Sequence, residues 1–333
     1  MRAMLLKKQA PVNTQPLRDV EIPDPVPGQA GEILVKVSAC GACHTDLHIV
    51  EGDLPLPRLP LVPGHQIVGT VLEGLGERGR FRKGDRVGIA WLRASCGSCS
   101  MCLSGRENLC REGTFTGYHE HGGYAEYVLV PEDYAFPLPA GFDDCQAAPL
   151  LCAGIIGYRA LKLTGAGKGS RLGIYGFGAS AHVTIQVARH IGCEVFVFSR
   201  GEGHRKLAEA LGAVWTGVVP DRPAPEMDAS IMFAPAGDLV PPALEILGRG
   251  GTLVLGGIHM STIPALDYEK HLYYEKTVRS VTASTREDGE QLLDLAARIP
   301  VTTHVTRYPM REANKVLSHL KNGQVNGAAV LVP

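Results

Sequence analysis

The chain shows two different patterns of hydrophobic and polar positions, one in each half. Up to about residue 149, short apolar or alternating runs are separated by Gly and Pro, as in GEILVKVSA, QIVGTVLEG, DRVGIAW and GGYAEYVLV. This pattern predicts short strands packed as a mostly β barrel or sandwich. From Leu150 onward, β-rich apolar runs alternate with helical periods, as in RLGIYG, ASAHVTIQVARHIG, CEVFVFS, GHRKLAEALGA, MDASIMFAP, DLVPPALEILGRG and GTLVLGG. That alternation is typical of an α/β fold with a doubly wound parallel sheet.

The length of the chain favours two domains. At 333 residues, it exceeds the roughly 250 to 300 residues beyond which single cores tend to split. The final runs, REDGEQLLDLAARI, VTTHVTRYP, REANKVLSHLKNG and AAVLVP, are expected to return to the β domain. We therefore predict one domain from residues 1–149 and 288–333, and a second from residues 150–287.

Composition and charge exclude several classes of protein. Apolar residues make up 45% of the chain, charged residues 20%, and the formal net charge is -1, so we expect a globular protein that does not bind nucleic acid. No apolar run reaches the ~18 residues of a membrane span, and the N-terminal run shows no export signal. We expect a cytoplasmic protein with no membrane partner. In that reducing compartment, nine cysteines indicate metal binding or catalysis rather than disulfides.

Four of the cysteines lie close together in a segment rich in Gly and Ser. Cys96, Cys99, Cys102 and Cys110 follow the spacing C-x2-C-x2-C-x7-C, and four thiolates fill the tetrahedral shell of zinc. Disulfides fit x2 gaps poorly, and a ferredoxin-type iron–sulfur cluster needs a last gap of x3 followed by Pro, whereas Arg111 follows here. We predict a structural zinc lobe at about residues 92–112. Its closed shell leaves no position for a substrate.

A catalytic zinc site needs three protein ligands and one open position. The motifs CGACHTDLH, PGHQIVGTV, GDRVGIAW, FTGYHEHGGYAEY and LLCAGIIGYRAL occur in this order, with the four-cysteine segment among them. Through these motifs, and along nearly the whole chain, the sequence resembles the zinc-dependent medium-chain alcohol dehydrogenases, most closely their yeast and bacterial branch. The resemblance implies a GroES-like catalytic domain and a Rossmann coenzyme domain, with the active site in the cleft between them.

The resemblance assigns chemical roles to residues of these motifs. It implies that Cys43, His65 and Cys152 hold a catalytic zinc ion. An ion held by two thiolates and a neutral imidazole is a net-neutral Lewis acid that makes the proton of a bound alcohol easier to lose. Thr45 then lies where the family's hydroxyl accepts that proton, and His48 where its histidine passes the proton to solvent.

Asp46, Gln66 and Trp91 complete the expected site. Asp46 is expected to orient His65 as a hydrogen-bond acceptor, or else only to cap a helix. Gln66 stands where the family usually has Glu, which removes a carboxylate close to the metal. Trp91 matches a pocket-wall residue that would favour small primary alcohols, and its alternative is an ordinary half-buried aromatic. The alternative for His48 is a solvated surface histidine.

The run RLGIYGFGASA carries a dinucleotide fingerprint. Gly176, Gly178 and Ala181 form G-x-G-x-x-A after an apolar strand and before an amphipathic helix. The glycines let the backbone turn tightly and approach a pyrophosphate, which the helix N-terminus stabilises. By resemblance, His44 also touches the pyrophosphate, whereas Ala328 stands where many relatives have an arginine.

The end of the next strand bears on the choice of coenzyme. Ser199 and Arg200 occupy the place where NAD enzymes usually present Asp or Glu to the ribose. A hydroxyl beside a guanidinium suits a 2′-phosphate, and His204 and Arg205 are close enough in sequence to assist. The sequence favours NADP(H) and leaves NAD(H) open, because Glu202 follows soon after Ser199.

Together these features predict an NAD(P)-dependent alcohol dehydrogenase with two Zn²⁺ ions per chain, which interconverts small primary alcohols and aldehydes. One alternative is a polyol or secondary-alcohol dehydrogenase of the same superfamily, for which Glu or Asp near Leu151 would be more natural than Cys152. Another is a nucleotide-binding sensor without turnover, which would hold one zinc ion. The resemblance also implies a homo-oligomer, either a tetramer or a dimer.

Overall fold

The computed structural model describes residues 1–28, 30–74, 79–299 and 301–333. The chain divides into two units. The first unit comprises Met1–Cys152, Ala283–Arg298 and Thr302–Pro333, and the second comprises Ala153–Thr282 and Ile299–Val301. Within the described ranges, no helix is long and apolar enough to span a membrane.

The first unit is mostly β. Its strands are β1 (Arg2–Leu6), β2 (Leu17–Glu21), β3 (Glu32–Ala42), β4 (Gln66–Gly74), β5 (Arg86–Ile89), β6 (Leu92–Ala94), β7 (Thr114–Phe115), β8 (Tyr127–Pro131), β9 (Ala135–Pro137), β16 (Val305–Pro309) and β17 (Ala328–Val332). The main sheet runs in the order β16-β17-β3-β4-β5-β9, with β8 also paired to β3, while β1 pairs with β2 and β6 with β7. Neighbours in the main sheet are antiparallel except β16 and β17, which are parallel.

Short helices connect these strands. They are α1 (His44–Glu51), α2 (Ser100–Leu103), α3 (Asp144–Ala147), α9 (Arg286–Arg298) and α10 (Ala313–Lys321), with 3₁₀ turns at Val12–Thr14, Glu107–Leu109, Glu132–Tyr134, Ala148–Leu151 and Met310–Glu312. In β3, Ile33, Val35 and Val37 are buried while Lys36 is exposed. The apolar side chains of β3 therefore face a core, as the period of two along a strand requires.

The second unit is an open parallel sheet with helices between its strands. The strands are β10 (Arg171–Tyr175), β11 (Glu194–Phe198), β12 (Trp215–Gly217), β13 (Met227–Met232), β14 (Leu247–Leu255) and β15 (Thr277–Ser280), and the helices are α4 (Ala153–Thr164), α5 (Ala179–His190), α6 (Glu202–Ala210), α7 (Val240–Ile246) and α8 (Tyr268–His271), with a 3₁₀ turn at Gly237–Leu239. The strands lie in the order β12-β11-β10-β13-β14-β15, and every pair is parallel. The chain first adds strands on one side of β10, as far as β12, and then adds β13, β14 and β15 on the other side.

The burial of β10 explains its position at the centre of this sheet. Four consecutive residues, from Leu172 to Tyr175, are buried, which is typical of a parallel strand covered on both faces by helices. The predicted fold class, a doubly wound Rossmann sheet together with a mostly β domain, is confirmed.

Candidate active site and metal centres

The four clustered cysteines converge in space. They lie between β6 and β7, with α2 and a 3₁₀ turn shaping the loop. The Sγ atoms of Cys96 and Cys110 are 3.5 Å apart, those of Cys99 and Cys102 3.6 Å, and those of Cys96 and Cys102 3.9 Å. Zn–S bonds of about 2.3 Å at tetrahedral angles would separate the sulfur atoms by about 3.8 Å. The four sulfur atoms therefore fit one zinc ion.

The electrostatics of the lobe also suit a metal ion. The backbone N–H groups of Ser98 and Cys99 hold the pKa of Cys96 down to about 6, whereas the pKa of its neighbour Cys110 is raised to about 11. Of the two sulfur atoms, that of Cys96 favours the thiolate form that zinc requires. The lobe is attached to the rest of the first unit through buried Glu107, which accepts a hydrogen bond of 2.9 Å from the backbone N–H of Arg286, where α9 begins. The loop that carries the cysteines thus supports a helix.

A second cluster brings together Cys43, His65 and Cys152. Cys43 is the N-cap of α1, His65 directly precedes β4, and Cys152 follows the 3₁₀ turn Ala148–Leu151. His65 Nε2 lies 3.3 Å from Cys43 Sγ and 3.3 Å from Cys152 Sγ. A tetrahedral zinc ion with bonds of about 2.0–2.3 Å would hold such atoms about 3.6 Å apart. Three ligand atoms would leave one tetrahedral position of such an ion open.

Asp46 connects the helix start to the histidine. Its Oδ2 atom accepts the N–H of Cys43 at 3.0 Å, while Oδ1 accepts the N–H of Gly64 at 3.2 Å and lies 3.0 Å from Nδ1 of His65. The Asp46 carboxylate is fully buried. The two roles expected as alternatives, capping the helix and orienting the imidazole, are therefore performed by one side chain. This arrangement directs Nε2 of His65 toward the two sulfur atoms.

The charge balance around His65 favours a cation. Burial alone would lower the pKa of His65, but the charges of Asp46 and Cys43 outweigh it and raise that pKa to about 10. A hydrogen bond with Cys152 and burial raise the pKa of the Cys43 thiol. Because Nε2 of His65 faces both sulfur atoms where a positive charge is favoured, the donor set fits a bound zinc ion.

Aromatic side chains enclose one side of the cluster. The ring of Trp91 meets that of His65 edge to face at 5.0 Å and stacks on Phe115 at 4.9 Å, with Tyr118 at 5.7 Å. Trp91 is only partly buried. Trp91 therefore lies beside His65 while also packing against the hydrophobic core of the first unit.

Thr45, His44 and His48 all lie on α1. The N–H of Thr45 donates to Cys43 Sγ at 3.3 Å. His44 is exposed at the start of α1. Desolvation of its ring by neighbouring protein atoms, followed by the charge of His48, lowers its pKa. His48 Nδ1 lies 2.8 Å from Oδ2 of Asp53, a partner that was not identified from the sequence.

The fingerprint loop in the second unit follows β10. Gly176 has φ +84°, and a Cβ there would lie 2.9 Å from the backbone nitrogen of Ala234, so only glycine fits. Gly178 is the N-cap of α5 and has open space where a Cβ would stand. Ala181 is buried within α5. The open N-terminus of this helix can accommodate a pyrophosphate.

The end of β11 brings together the residues expected to select the coenzyme. Ser199 is nearly buried, and Arg200 is exposed. The Nη1 atom of Arg205 donates to the carbonyl oxygens of Ser199 and Arg200 at 2.7 and 2.8 Å. The guanidinium of Arg205 is thereby anchored to the backbone of Ser199 and Arg200 at the tip of the strand.

Both units match known protein families. Residues 29–140 match the family described as alcohol dehydrogenase GroES-like domain, and residues 181–298 match the family described as zinc-binding dehydrogenase. A Mycobacterium tuberculosis (strain CDC 1551 / Oshkosh) protein named "Probable alcohol dehydrogenase AdhA" is 49% identical over 100% of this chain and 97% of its own length. This chain belongs to the zinc-dependent medium-chain alcohol dehydrogenase family.

Further members of the family extend the comparison. An alcohol dehydrogenase from Geobacillus stearothermophilus is 39% identical over 91% of this chain and 92% of its own length. Cobalt- and zinc-bound thermostable alcohol dehydrogenase from Pyrobaculum aerophilum has TM-score 0.91 and 25% identity, covering 100% of this chain and 99% of that one. The structure of acetophenone reductase from Geotrichum candidum in complex with NAD has a TM-score of 0.89 and 27% identity, and the match covers 100% of this chain and 97% of that one.

Two departures from the family pattern have clear structural surroundings. Gln66 is buried, and its side chain lies over Gly41, where a Cβ would come within 2.9 Å of its Cδ atom. Ala328 begins β17 and is buried. The sequence also gave no sign of Tyr124, which is fully buried, and whose pKa is raised by burial and by the charge of Asp46.

Proposed function

We propose that this protein catalyses the reversible oxidation of small primary alcohols to aldehydes, with NADP(H) as the preferred coenzyme. The observation that carries the proposal is the contrast between two clusters of side chains that could hold a metal ion. Four thiols would close a tetrahedral shell, whereas Cys43, His65 and Cys152 would leave one position open. The alcohol dehydrogenase relatives support the same reaction.

Each residue near the open cluster has a defined task in this proposal. Cys43, His65 and Cys152 bind the metal ion, and Asp46 keeps the imidazole directed at it. When bound, zinc supplies Lewis acidity toward the substrate hydroxyl, and the nicotinamide gives or takes the hydride. The Thr45 hydroxyl relays a proton, because its oxygen accepts the proton of the substrate hydroxyl as its own proton leaves toward His48.

His48 then takes that proton from Thr45 and transfers it to solvent. Trp91 forms a wall of the pocket, where its ring limits the size of the alcohol.

Metal analysis combined with one substitution tests the mechanism. We expect two zinc ions per chain, and we expect Cys43→Ala to lose one ion and nearly all alcohol oxidation. Cys145→Ala is a matched control, because Cys145 is a buried cysteine outside both clusters. A Cys43→Ala variant that oxidises alcohols at the wild-type rate would contradict the mechanism. One zinc ion per chain without turnover would favour a nucleotide-binding sensor instead.

The preference for NADP(H) rests on the residues at the end of β11. Ser199 and the guanidinium groups of Arg200 and Arg205 present a hydroxyl and two positive charges where a carboxylate would select NAD(H). Charge-assisted hydrogen bonds contribute about 1.5–3 kcal/mol, so Arg200→Ala should lower kcat/KM for NADP by about 10- to 100-fold and leave kcat/KM for NAD nearly unchanged. Equal losses with both coenzymes would contradict this assignment.

A second candidate reaction is the reduction of ketones to secondary alcohols. It is favoured by the likeness to acetophenone reductase, which was solved with NAD. Rates with NAD and NADP across matched primary alcohols, secondary alcohols, aldehydes and ketones distinguish the two reactions. We expect the highest kcat/KM for short primary alcohols with NADP. We further propose a homo-oligomer, a tetramer or a dimer, which light scattering would measure.

A further inference from the structure

A left-handed turn at the end of α1 returns the chain toward His48. Gly52 has φ +96°, a conformation that glycine adopts without strain. The N–H groups of Gly52 and Leu54 both donate to the carbonyl oxygen of His48, at 3.1 and 3.2 Å. Asp53, between them, is therefore carried back over the last turn of the helix, where its Oδ2 lies 2.8 Å from Nδ1 of His48.

This turn is also fixed from outside the helix. The Nε2 atom of Gln9 donates to the carbonyl oxygens of Ile49 and Leu54, at 2.7 and 2.9 Å. The His48 side chain is 13% exposed, whereas that of Asp53 is 45% exposed. The ring thus lies mostly inside the protein and the carboxylate at its surface. These bonds fix the backbone on both sides of Asp53, so that only the side-chain torsions of Asp53 remain to be set for the contact.

The contact has a chemical consequence for the imidazole. A carboxylate only accepts hydrogen bonds, so Nδ1 of His48 must carry the hydrogen, and Nε2 is then the nitrogen that accepts a proton. The contact also fixes the orientation of the ring, with Nε2 directed away from the Asp53 carboxylate. Desolvation, followed by the charge of His48, lowers the pKa of His44, which lies one turn earlier on α1.

We propose that Asp53 is a positioning residue for proton transfer, which fixes the tautomer and the orientation of His48. This inference rests on the proposed function, in which His48 takes the proton that leaves the alcohol. The proton moves to Nε2 of His48 and onward to solvent, and no bond to Asp53 forms or breaks.

A double-mutant cycle tests the proposal. In single-turnover alcohol oxidation with saturating coenzyme, Asp53→Ala should slow hydride transfer by about 10-fold or more, with KM for the alcohol changed less than about twofold. In a His48→Gln background, the same substitution should change the rate less than about twofold, because the partner is already absent. Asp53→Asn, whose amide oxygen can still accept from Nδ1, should lose less than Asp53→Ala.

Asp19→Ala is the matched control, since Asp19 is an exposed carboxylate paired with Arg2 on the first strand pair, and it should behave as the wild type. A rate loss of equal size in the wild-type and His48→Gln backgrounds would overturn the proposal. So would an Asp53→Ala variant as fast as the wild type, or an Asp53→Asn variant no faster than Asp53→Ala.

Nitrogen NMR of labelled histidines separates this inference from the proposed function. The His48 signals, assigned by their loss in His48→Gln, should show the Nδ1–H tautomer in the wild type and a mixture in Asp53→Ala. An unchanged tautomer would overturn the role of Asp53 even in an active enzyme. A wild type that turns over no alcohol or ketone would refute the proposed function instead, and the tautomer would still report whether Asp53 fixes the ring.

Discussion

Asp46→Asn is the substitution whose effect follows most directly from the structure. Both carboxylate oxygens accept: Oδ2 from the N–H of Cys43, and Oδ1 from the N–H of Gly64 and from His65. An amide has one accepting oxygen. If that oxygen takes the position with two donors, the new NH₂ group faces the N–H of Cys43, and a buried donor then meets another donor.

The size of the effect can be worked out from these contacts. A buried N–H without an acceptor costs about 1–3 kcal/mol, and this one also caps α1. The free energy of unfolding should fall by that amount. Because a neutral amide supports the imidazole less well than a carboxylate, affinity for zinc at the three-residue cluster should fall by about 10- to 100-fold.

Two measurements check this prediction. Competition with a colorimetric chelator reports the release of zinc, and calorimetry with and without excess zinc reports stability. Asp19→Asn is the control, since its exposed ion pair with Arg2 should contribute no more than about 1 kcal/mol. If Asp46→Asn released zinc and melted as the wild type does, the shared role of Asp46 in the helix cap and the metal site would be wrong.

Three other substitutions have separable outcomes. Cys99→Ala should remove one zinc ion per chain and lower the melting temperature before it lowers kcat of the folded enzyme; a loss of kcat in a protein that still melts normally would refute the structural role. Gly176→Ala should destabilise the second unit by about 1–2 kcal/mol because of the left-handed φ, and should weaken coenzyme binding in fluorescence titrations; unaltered titrations would argue against the fingerprint loop. Asp228→Asn tests a pH dependence. The hydrogen bond from Arg171 lowers the pKa of Asp228 below its usual 3.8, so the ionised carboxylate contributes its full stabilisation of the fold only at pH values above 3.8. Because both side chains are partly exposed, the variant should be less stable by only about 0.5–1 kcal/mol at neutral pH. This difference should vanish as the pH falls through the lowered pKa, and a difference that persists at low pH in urea unfolding would contradict it.

The closed metal centre could be predicted from local sequence because its geometry is local. Cys96, Cys99, Cys102 and Cys110 lie on one loop, and their spacing alone limits which ions four sulfur atoms can hold. The parallel sheet was predictable for a similar reason, since the alternation of apolar strands and amphipathic helices records which faces are covered. In both cases neighbouring residues carry the information.

The surroundings of the open cluster, which consists of Cys43, His65 and Cys152, depend on contacts that the spacing of residues in the sequence does not reveal. Two acidic residues illustrate the limit, Asp46 beside His65 and Asp53 beside His48. The pairing of Asp53 with His48 requires the left-handed turn at Gly52, and the Gly-Asp dipeptide after the helix is the only local sign of it. The bond from Gly64 to Asp46 requires that a loop before β4 pack against the start of α1.

This difference between the two centres has a consequence for how each responds to damage. The cysteine lobe is a single loop, so loss of its metal ion removes a local support, which extends through Glu107 to the start of α9. The open cluster joins α1, the loop before β4 and the 3₁₀ turn that ends at Leu151. Its ligand distances are therefore set by the sheet and its connections, and a substitution in the β core should disturb zinc at the open cluster while the lobe retains its own ion.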